Sequence, residues 1–464
     1  MIKISFGTDG WRGIISREFT YENIGIISQA IAAHLHKEGR KGAVAVGYDT
    51  RFMSGAFAGA AAEALAGCGF KTLLSSGVVP TPALSYFIKQ EKLAGGVMIT
   101  ASHNPWQYSG IKFKPYFGGS ASEGITKSIE SFLYKKAKPV RAAKIETVDM
   151  LEDYKRALLS LVDTNAIEKL KRPVVIDSMN GAGGRILEDL LAGIIDIRTI
   201  NFAPDPLFGG RNPEPIDKNL GPLFSYAKKH GFTGFATDGD ADRVGGADET
   251  GAYLSSHKAF ALILLDFLIY RGLEGRIAKA VSSTSLINKI AERHSREVAE
   301  VKIGFKYICE LMMSSDVELG GEESGGIGYR AHIPERDGLM SSLLMMEYLG
   351  KEGVTMRDAL SSLEEDYGRF VYMREDLHTE AYVEKKKFIK TLKDRIDPDK
   401  MFAGKKLMKM DDRDGIKFFF DDYSWLLLRP SGTEPLVRVY AESGSKKDSA
   451  AMIRKGCEIA KGVS

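Results

Sequence analysis

The sequence predicts an α/β protein of several domains that ends in a smaller α+β domain. Up to about residue 366, short β-rich runs alternate with turns and amphipathic segments, and this pattern occurs in three rounds. Beyond that point, alternating strands and one lysine-rich helical segment replace it. The chain has 464 residues, enough for three or four compact domains.

Composition excludes several classes of protein. The formal net charge of +3 is too small for an extended nucleic-acid or membrane surface, so we expect a small-molecule partner instead. The three cysteines are widely spaced, which favours neither disulfides nor a thiolate zinc site and is typical of the reducing cytoplasm. The N-terminus lacks the order of a signal peptide, and the apolar stretch 259–270 is too short to span a bilayer, so we expect a buried helix there. The sequence does not predict the oligomeric state.

The first round is expected over residues 1–150. Residues 42–48 and 95–100 predict strands, and the lysine-rich stretch 134–144 predicts a solvated boundary. Apolar residues at helical spacing mark the face of one helix: Ile24, Ile27, Ile31 and Leu35.

The next two rounds and the last domain are expected over residues 151–252, 253–366 and 367–464. The β-rich segments of the two rounds are 173–184, 234–239, 277–283, 297–304 and 316–326, with a helix expected around 187–194. Strands of the last domain are predicted at 416–420, 425–430 and 436–443.

Four loops are the places to look for a ligand site. Ligands of open α/β sheets bind beyond the carboxyl ends of strands, which selects the loops 100–104, 238–242 and 321–326. A fourth loop, 429–435, lies between two predicted strands of the last domain.

The first loop has the sequence TASHNP and places Ser102 directly after a strand. A serine there can act as a nucleophile or a phosphate carrier, with His103, Lys112 and Lys114 as neighbouring proton-transfer or charge-stabilising groups. The alternative is a plain turn built by asparagine and proline. A serine hydrolase is disfavoured, because the chain has no GxSxG motif.

The second loop, TDGDADR, carries Asp238, Asp240 and Asp242 at alternate positions. Such carboxylates can converge on a hard cation, and magnesium completes its shell with water and phosphate. Arg243 follows them and can grip phosphate oxygens. The alternative is an EF-hand calcium loop ending at Glu249, but arginine stands where that loop needs glycine, and the flanks predict strands.

The other two loops carry groups suited to a phosphorylated sugar. GGEESGG contains Glu322 and Ser324, whose carboxylate and hydroxyl suit sugar hydroxyls, with a glycine-rich turn as the alternative. RPSGTEP combines a guanidinium, two hydroxyls and a glycine, which can form a nest for a phosphate dianion or a bare turn. The glycine cluster 180–185 lacks the complete dinucleotide fingerprint and predicts a strand-to-helix turn.

Taken in this order, the four motifs and the opening FGTDGWRG resemble the α-D-phosphohexomutase family, which includes phosphoglucomutases, phosphomannomutases and phosphoglucosamine mutases. The resemblance covers essentially the whole chain. It implies four domains around a central cleft, of which the first three share an α/β design and the fourth can rotate. It also implies an enzyme that carries phosphate on a serine, requires Mg²⁺ and forms a hexose 1,6-bisphosphate.

The resemblance assigns roles to particular residues. Ser102 resembles the phosphoserine, which also supplies an oxygen to the Mg²⁺ site of Asp238, Asp240 and Asp242. The residues that assist transfer at this phosphate are Arg12, His103, Lys112 and Arg243. The residues expected to bind the sugar or its distal phosphate are Glu322, Ser324, Lys306, Arg336, Arg429, Ser431, Gly432 and Thr433.

The sugar preference is expected from the third loop. GEES and the segments 301–308 and 335–343 resemble glucose-type enzymes, Gly326 stands where phosphomannomutases often have histidine, and the GEQSG of phosphoglucosamine mutases is absent. We therefore expect glucose phosphates to be preferred and mannose phosphates to be accepted, with a phosphoglucosamine mutase as the alternative. Two other classes of protein are disfavoured. A metal-dependent phosphatase would not need the second phosphate clamp formed by RPSGTEP, and a non-enzymatic binding protein would not need Ser102 beside a metal loop.

Overall fold

The structure, a computed structural model, describes residues 4–7, 9–135, 142–395, 401–402, 405–432 and 434–462. The chain forms two compact units. The first comprises residues 1–276 and 304–359, and the second comprises residues 277–303 and 360–464.

The first unit begins with a six-stranded mixed sheet whose last four strands are parallel. In sheet order the strands are Trp11–Ile14, Tyr108–Pro115, Gly95–Ile99, Val44–Tyr48, Thr72–Ser75 and Ile145–Val148. The helices of this part are Tyr21–Lys37, Ser54–Gly67, Thr81–Gln90 and Glu123–Glu130. The predicted apolar face of the first helix is confirmed, since all four of its residues are buried in the core beneath the sheet.

A second mixed sheet of five strands follows. In sheet order its strands are Tyr253–Leu254, Val244–Ala247, Thr233–Thr237, Val174–Asp177 and Ile197–Ile200. The helices of this part are Glu152–Ser160, Thr164–Ile167, Ile186–Leu191 and Gly221–His230, with short 3₁₀ turns at Phe208–Gly210 and Asp217–Asn219. The glycine cluster 180–185 is the predicted turn between a strand and a helix.

The remainder of the first unit is built on two buried helices. Ser256–Ile269 contains the apolar stretch and is buried as predicted. Its Asp266 is accommodated because Lys351 Nζ lies 2.9 Å and Arg271 Nε 2.5 Å from its carboxylate. The other elements are the helices Phe305–Ser314 and Gly338–Glu352 and the antiparallel strands Val317–Gly321, Ile327–Tyr329 and Ile333–Arg336. Within the described residues, no helix combines the length and the apolar character that a bilayer crossing requires.

The second unit contains a six-stranded antiparallel sheet. In sheet order its strands are Val371–His378, Leu436–Ser443, Trp425–Pro430, Ile416–Phe420, Lys405–Asp411 and Met401–Phe402. The helices Lys385–Arg395 and Lys446–Lys461 accompany this sheet, and the helix Met356–Tyr367 runs across the boundary into the unit. A parallel pair of strands, Arg276–Ala280 and Val298–Val301, flanks the helix Leu286–Arg293. The fold class predicted from the sequence, α/β with a smaller α+β C-terminal domain, is confirmed.

Candidate active site

Three buried aspartates form the centre of the site. Asp238, Asp240 and Asp242 follow the strand Thr233–Thr237, and one carboxylate oxygen from each lies within 4.8 Å of the others. The chain continues directly into the strand Val244–Ala247. Two strands thus flank this loop where an EF-hand has two helices, so the calcium-sensor alternative is excluded.

The aspartate cluster fits a hard divalent cation. Asp240 and Asp242 each retain one buried carboxylate oxygen, Oδ1, that accepts no hydrogen bond. Burial and the two neighbouring carboxylates raise the pKa of Asp238 well above its usual value. Because unpaired carboxylate oxygens are costly to bury and are the ligands that Mg²⁺ prefers, a bound cation would satisfy both atoms.

Two cationic side chains neutralise part of the charge of this cluster. Lys112 Nζ lies 2.8 Å from Asp240 Oδ2 and 3.1 Å from Asp242 Oδ2. Arg336 Nη2 lies 2.7 Å from Asp242 Oδ2. Burial opposes the charge of Lys112, but the nearby carboxylates outweigh burial and raise its pKa above the usual value. Both cations also contact Asp9 Oδ2, at 2.8 Å and 2.5 Å respectively.

Ser102 lies beside the acidic cluster in a strained conformation. The residue is buried, and its Oγ donates a 2.7 Å hydrogen bond to Asp238 Oδ2. Its φ of 52° is in the left-handed region, which costs a serine of the order of 1–3 kcal/mol. Strain of this kind is retained where the surrounding structure imposes it, which is characteristic of functional loops.

His103 and two arginines surround the serine loop. His103 Nδ1 lies 3.4 Å from Ser102 Oγ. Burial lowers the pKa of His103 well below its usual value, and the cations Arg243 and Arg12 lower it further. Arg12 Nη1 donates a 2.6 Å hydrogen bond to Asn104 Oδ1 of the same loop. Arg243 Nε lies 3.8 Å from Asp242 Oδ1 and 3.9 Å from Asp238 Oδ2.

The predicted sugar-binding loop is a turn between the strands Val317–Gly321 and Ile327–Tyr329. Glu322 is buried and accepts a 3.0 Å hydrogen bond from the backbone N–H of Gly304, and burial raises its pKa to about 7. Ser324 is half-buried in the same turn. Arg336 Nη1 lies 3.4 Å from Glu322 Oε2, so this arginine connects the loop with the aspartate cluster.

Two other predicted residues are lysines that pair with acidic side chains. Lys306 Nζ lies 3.7 Å from Glu123 Oε1 and 5.3 Å from the centre of the Tyr307 ring. Lys114 Nζ lies 2.5 Å from Glu335 Oε2 and 3.5 Å from Asp9 Oδ1, so it adjoins the aspartate cluster through Asp9. The sugar-binding role of Lys306 stays a prediction.

The predicted phosphate loop belongs to the second unit. Arg429 Nε donates a 3.0 Å hydrogen bond to Asp414 Oδ2. Ser431 is buried and its Oγ accepts a hydrogen bond from the backbone N–H of Glu434 at 3.2 Å, whereas Gly432 is exposed. Thr433 lies outside the described residues.

Comparison with known proteins identifies the family of the chain. Four family models match consecutive parts of it: phosphoglucomutase/phosphomannomutase α/β/α domains I, II and III over residues 3–139, 152–251 and 255–367, and the C-terminal domain over residues 381–455. A phosphoglucomutase/phosphomannomutase of Thermococcus kodakarensis is 31% identical over 98% of both chains. The chain belongs to the α-D-phosphohexomutase family. It is therefore an enzyme of the phosphotransferase type, and its four-domain composition is confirmed.

Other similar proteins are named for different sugar substrates. A probable phosphoglucosamine mutase of Methanothermobacter thermautotrophicus is 33% identical over 97% of this chain and 96% of its own. The crystal structure of a putative phosphomannomutase from Thermus thermophilus is 36% identical and has a TM-score of 0.88, covering 99% of this chain and 100% of that one. The family is thus established, and the sugar is not decided by these relatives.

The structure brings three further residues to the site that the sequence analysis did not select. Asp9 pairs with both cations of the aspartate cluster. Thr81 Oγ1 donates a 2.5 Å hydrogen bond to Asp240 Oδ2, and its backbone N–H donates to the carbonyl of the same aspartate at 2.9 Å. Arg51 donates to the backbone of the serine loop. Arg51 follows a predicted strand, so the rule that selected the other loops could have found it.

Proposed function

We propose that this enzyme interconverts hexose 1-phosphates and hexose 6-phosphates, with glucose preferred and mannose accepted, and that Ser102 carries the phosphate. The observation that carries the proposal is the 2.7 Å hydrogen bond from Ser102 Oγ to Asp238 Oδ2, beside two aspartate oxygens that accept no hydrogen bond. A hydroxyl beside such a set of carboxylate oxygens is suited to phosphoryl transfer and serves no evident purpose in a protein that only binds sugar.

The three aspartates and an oxygen on Ser102 would hold Mg²⁺. When bound, the cation neutralises the charge of the transferring phosphoryl group. Transfer breaks the bond between phosphorus and Ser102 Oγ and forms a bond from phosphorus to a sugar hydroxyl oxygen, whose proton leaves. We assign that proton to His103, which would pass it to the freed Ser102 Oγ, because its Nδ1 is 3.4 Å from that oxygen.

The cations of the site stabilise charge during this step. Lys112 is held by carboxylates in its charged form, so we assign it to stabilising the phosphoryl oxygens instead of carrying a proton. Arg12 and Arg243 are the guanidinium groups that would contact the same oxygens. Each transfer to the sugar forms a hexose 1,6-bisphosphate, and return of its other phosphate to serine completes the isomerisation.

The sugar and its distal phosphate are assigned to the remaining loops. Glu322 and Ser324 would contact the sugar hydroxyls. In the second unit, Arg429, whose Nε donates to Asp414 Oδ2 at 3.0 Å, would contact the distal phosphate together with Ser431. Two phosphate sites are what a mutase requires and a phosphatase does not.

A phosphoglucosamine mutase is the second candidate. The relative from M. thermautotrophicus, which is 33% identical, carries that name and supports it. The GEES sequence of the third loop supports the glucose-type enzyme instead.

The test is a turnover assay with Mg²⁺ and a trace of hexose 1,6-bisphosphate. Glucose, mannose and glucosamine monophosphates are supplied in parallel, and the 1- and 6-phosphates are followed by phosphorus NMR. Isomerisation without release of inorganic phosphate is expected, fastest with glucose. A much higher kcat/KM for glucosamine 6-phosphate would replace the sugar assignment, and accumulation of inorganic phosphate would contradict the mutase.

A further inference from the structure

Arg51 lies behind the serine loop and binds its backbone. The side chain is buried, and its two Nη atoms each donate to two carbonyl oxygens of residues 102–108. The acceptors are the carbonyls of Ser102 at 2.6 Å, Asn104 at 2.7 Å, Pro105 at 2.9 Å and Tyr108 at 2.9 Å. All four outer N–H groups of one guanidinium are therefore used to bind a single loop.

The guanidinium is itself fixed from the opposite side. Its Nε lies 3.2 Å from Asp49 Oδ2, and both side chains are fully excluded from solvent. Asp49 Oδ1 accepts hydrogen bonds from Ser54 Oγ at 2.8 Å and from the backbone N–H of Arg51 at 3.0 Å. The ring of Phe208 lies 4.8 Å from the guanidinium carbon. Arg51 is thus also held by residues outside the loop.

The loop depends on this cation for its shape. Its own backbone bonds include those from Asn104 N–H to the carbonyl of Ala101 at 3.1 Å and from Tyr108 N–H to that of Pro105 at 3.0 Å. Four carbonyl oxygens converge on one point, an arrangement that is unfavourable unless donors occupy that point. Ser102 meanwhile holds a left-handed φ of 52°. The contacts with Arg51 oppose relaxation of this strain, together with the hydrogen bonds from Ser102 N–H to Thr100 Oγ1 at 2.8 Å and from Ser102 Oγ to Asp238 Oδ2 at 2.7 Å.

We propose that Arg51 is a positioning residue for phosphoryl transfer, which holds the backbone of residues 102–108 so that Ser102 Oγ stays beside Asp238. The proposal rests on the proposed function of Ser102. Arg51 contacts the loop through its carbonyl oxygens, and the side chains that meet the sugar belong to other loops. Its loss should therefore slow the chemical step more than it weakens substrate binding.

The test compares Arg51→Lys and Arg51→Ala with Arg271→Gln as the matched control. Arg271 is also ion-paired and donates to a backbone carbonyl, that of Leu161 at 3.0 Å, but it lies among helices outside the site. Because a displacement of about 1 Å can cost about 100-fold in rate, we expect kcat of Arg51→Lys to fall by about that factor while KM changes little. Hydrogen exchange should accelerate in residues 101–108 and not elsewhere. Free guanidinium at millimolar concentration should restore part of the activity of Arg51→Ala.

The kinetic and hydrogen-exchange results together decide whether Arg51 positions the serine loop. A wild-type kcat in Arg51→Lys, or a loss of kcat in Arg271→Gln as large as in the Arg51 variants, would overturn it. Exchange that accelerates throughout the first unit would assign Arg51 to general stability and would also overturn it. If the wild-type chain shows no mutase turnover, the proposed function fails by itself, and the exchange measurement still decides whether Arg51 holds the loop.

Discussion

Replacing Gly239 by alanine should slow the enzyme without unfolding it. Gly239 lies between two of the metal-loop aspartates, and a Cβ built on it would be 2.4 Å from the carbonyl oxygen of Ser102. Its φ lies outside the left-handed region, so alanine fits the local backbone and only the space is lacking. A carbon and a carbonyl oxygen approach each other to about 3.3 Å at closest, so the two loops must separate by about 0.9 Å.

The size of that displacement sets the expected loss of rate. A misplacement of about 1 Å costs about 100-fold in kcat, and this is the fall that we expect for Gly239→Ala with its best sugar phosphate in the NMR assay. Gly59→Ala is the control, because Gly59 lies inside the helix Ser54–Gly67 and its added Cβ would meet no atom within 4 Å. The control should keep full activity and gain up to about 1 kcal/mol of stability. A kcat of Gly239→Ala within about threefold of wild type would refute the reasoning that the two loops must stay in contact.

Three further predictions concern the ionisation of Glu300, the space beside Gly326 and the bound metal. Burial opposes ionisation of Glu300, but Lys279 and Lys417 outweigh it and lower its pKa from 4.5 to about 2. The carboxylate is therefore protonated at higher pH in the unfolded chain than in the folded one. Above pH 4.5 the ionised group contributes roughly 3 kcal/mol to the free energy of unfolding, and this contribution is lost as the pH falls toward 2. In urea unfolding, the difference between wild type and Glu300→Gln should shrink over that interval, and a difference independent of pH would contradict this. In Gly326→Ala the new Cβ would lie 2.1 Å from Arg336 Cδ. This clash should displace the arginine from the sugar-binding loop and raise KM about tenfold. An unchanged KM would argue against a role of the contact between Arg336 and this loop in substrate binding. EDTA should abolish turnover and lower the Tm, and Mg²⁺ should restore both, whereas full activity in EDTA would contradict the metal assignment.

Much of the fold could be predicted because its signals are local. The strands Gly95–Ile99 and Thr233–Thr237 are short β-rich runs, and the loops that follow them lie at the carboxyl ends of strands, where ligands bind. The family and the fold class are confirmed. The roles of Ser102 and the aspartates remain predictions, supported by their close approach.

The contacts that complete the site could not be predicted, because they join distant parts of the chain. Thr81 begins a helix, and no pattern in its own sequence indicates that its hydroxyl meets Asp240. Asp9 lies within a motif that was noted for Arg12, and its pairing with Lys112 depends on the packing of the strand Trp11–Ile14 against the strand Tyr108–Pro115. Such pairings follow from tertiary structure, which single-sequence reasoning does not supply.

The ion pair between Asp9 and Arg336 has a consequence for how the enzyme gains activity during folding. These two residues are 327 positions apart in the chain, and their side chains meet at 2.5 Å. Contacts of such long range form late, because the entropy of closing a large loop must be overcome before they stabilise anything. Local strands and helices will therefore be present before the acidic cluster has its full set of partners. After dilution from denaturant, recovery of catalytic turnover should lag behind recovery of circular dichroism.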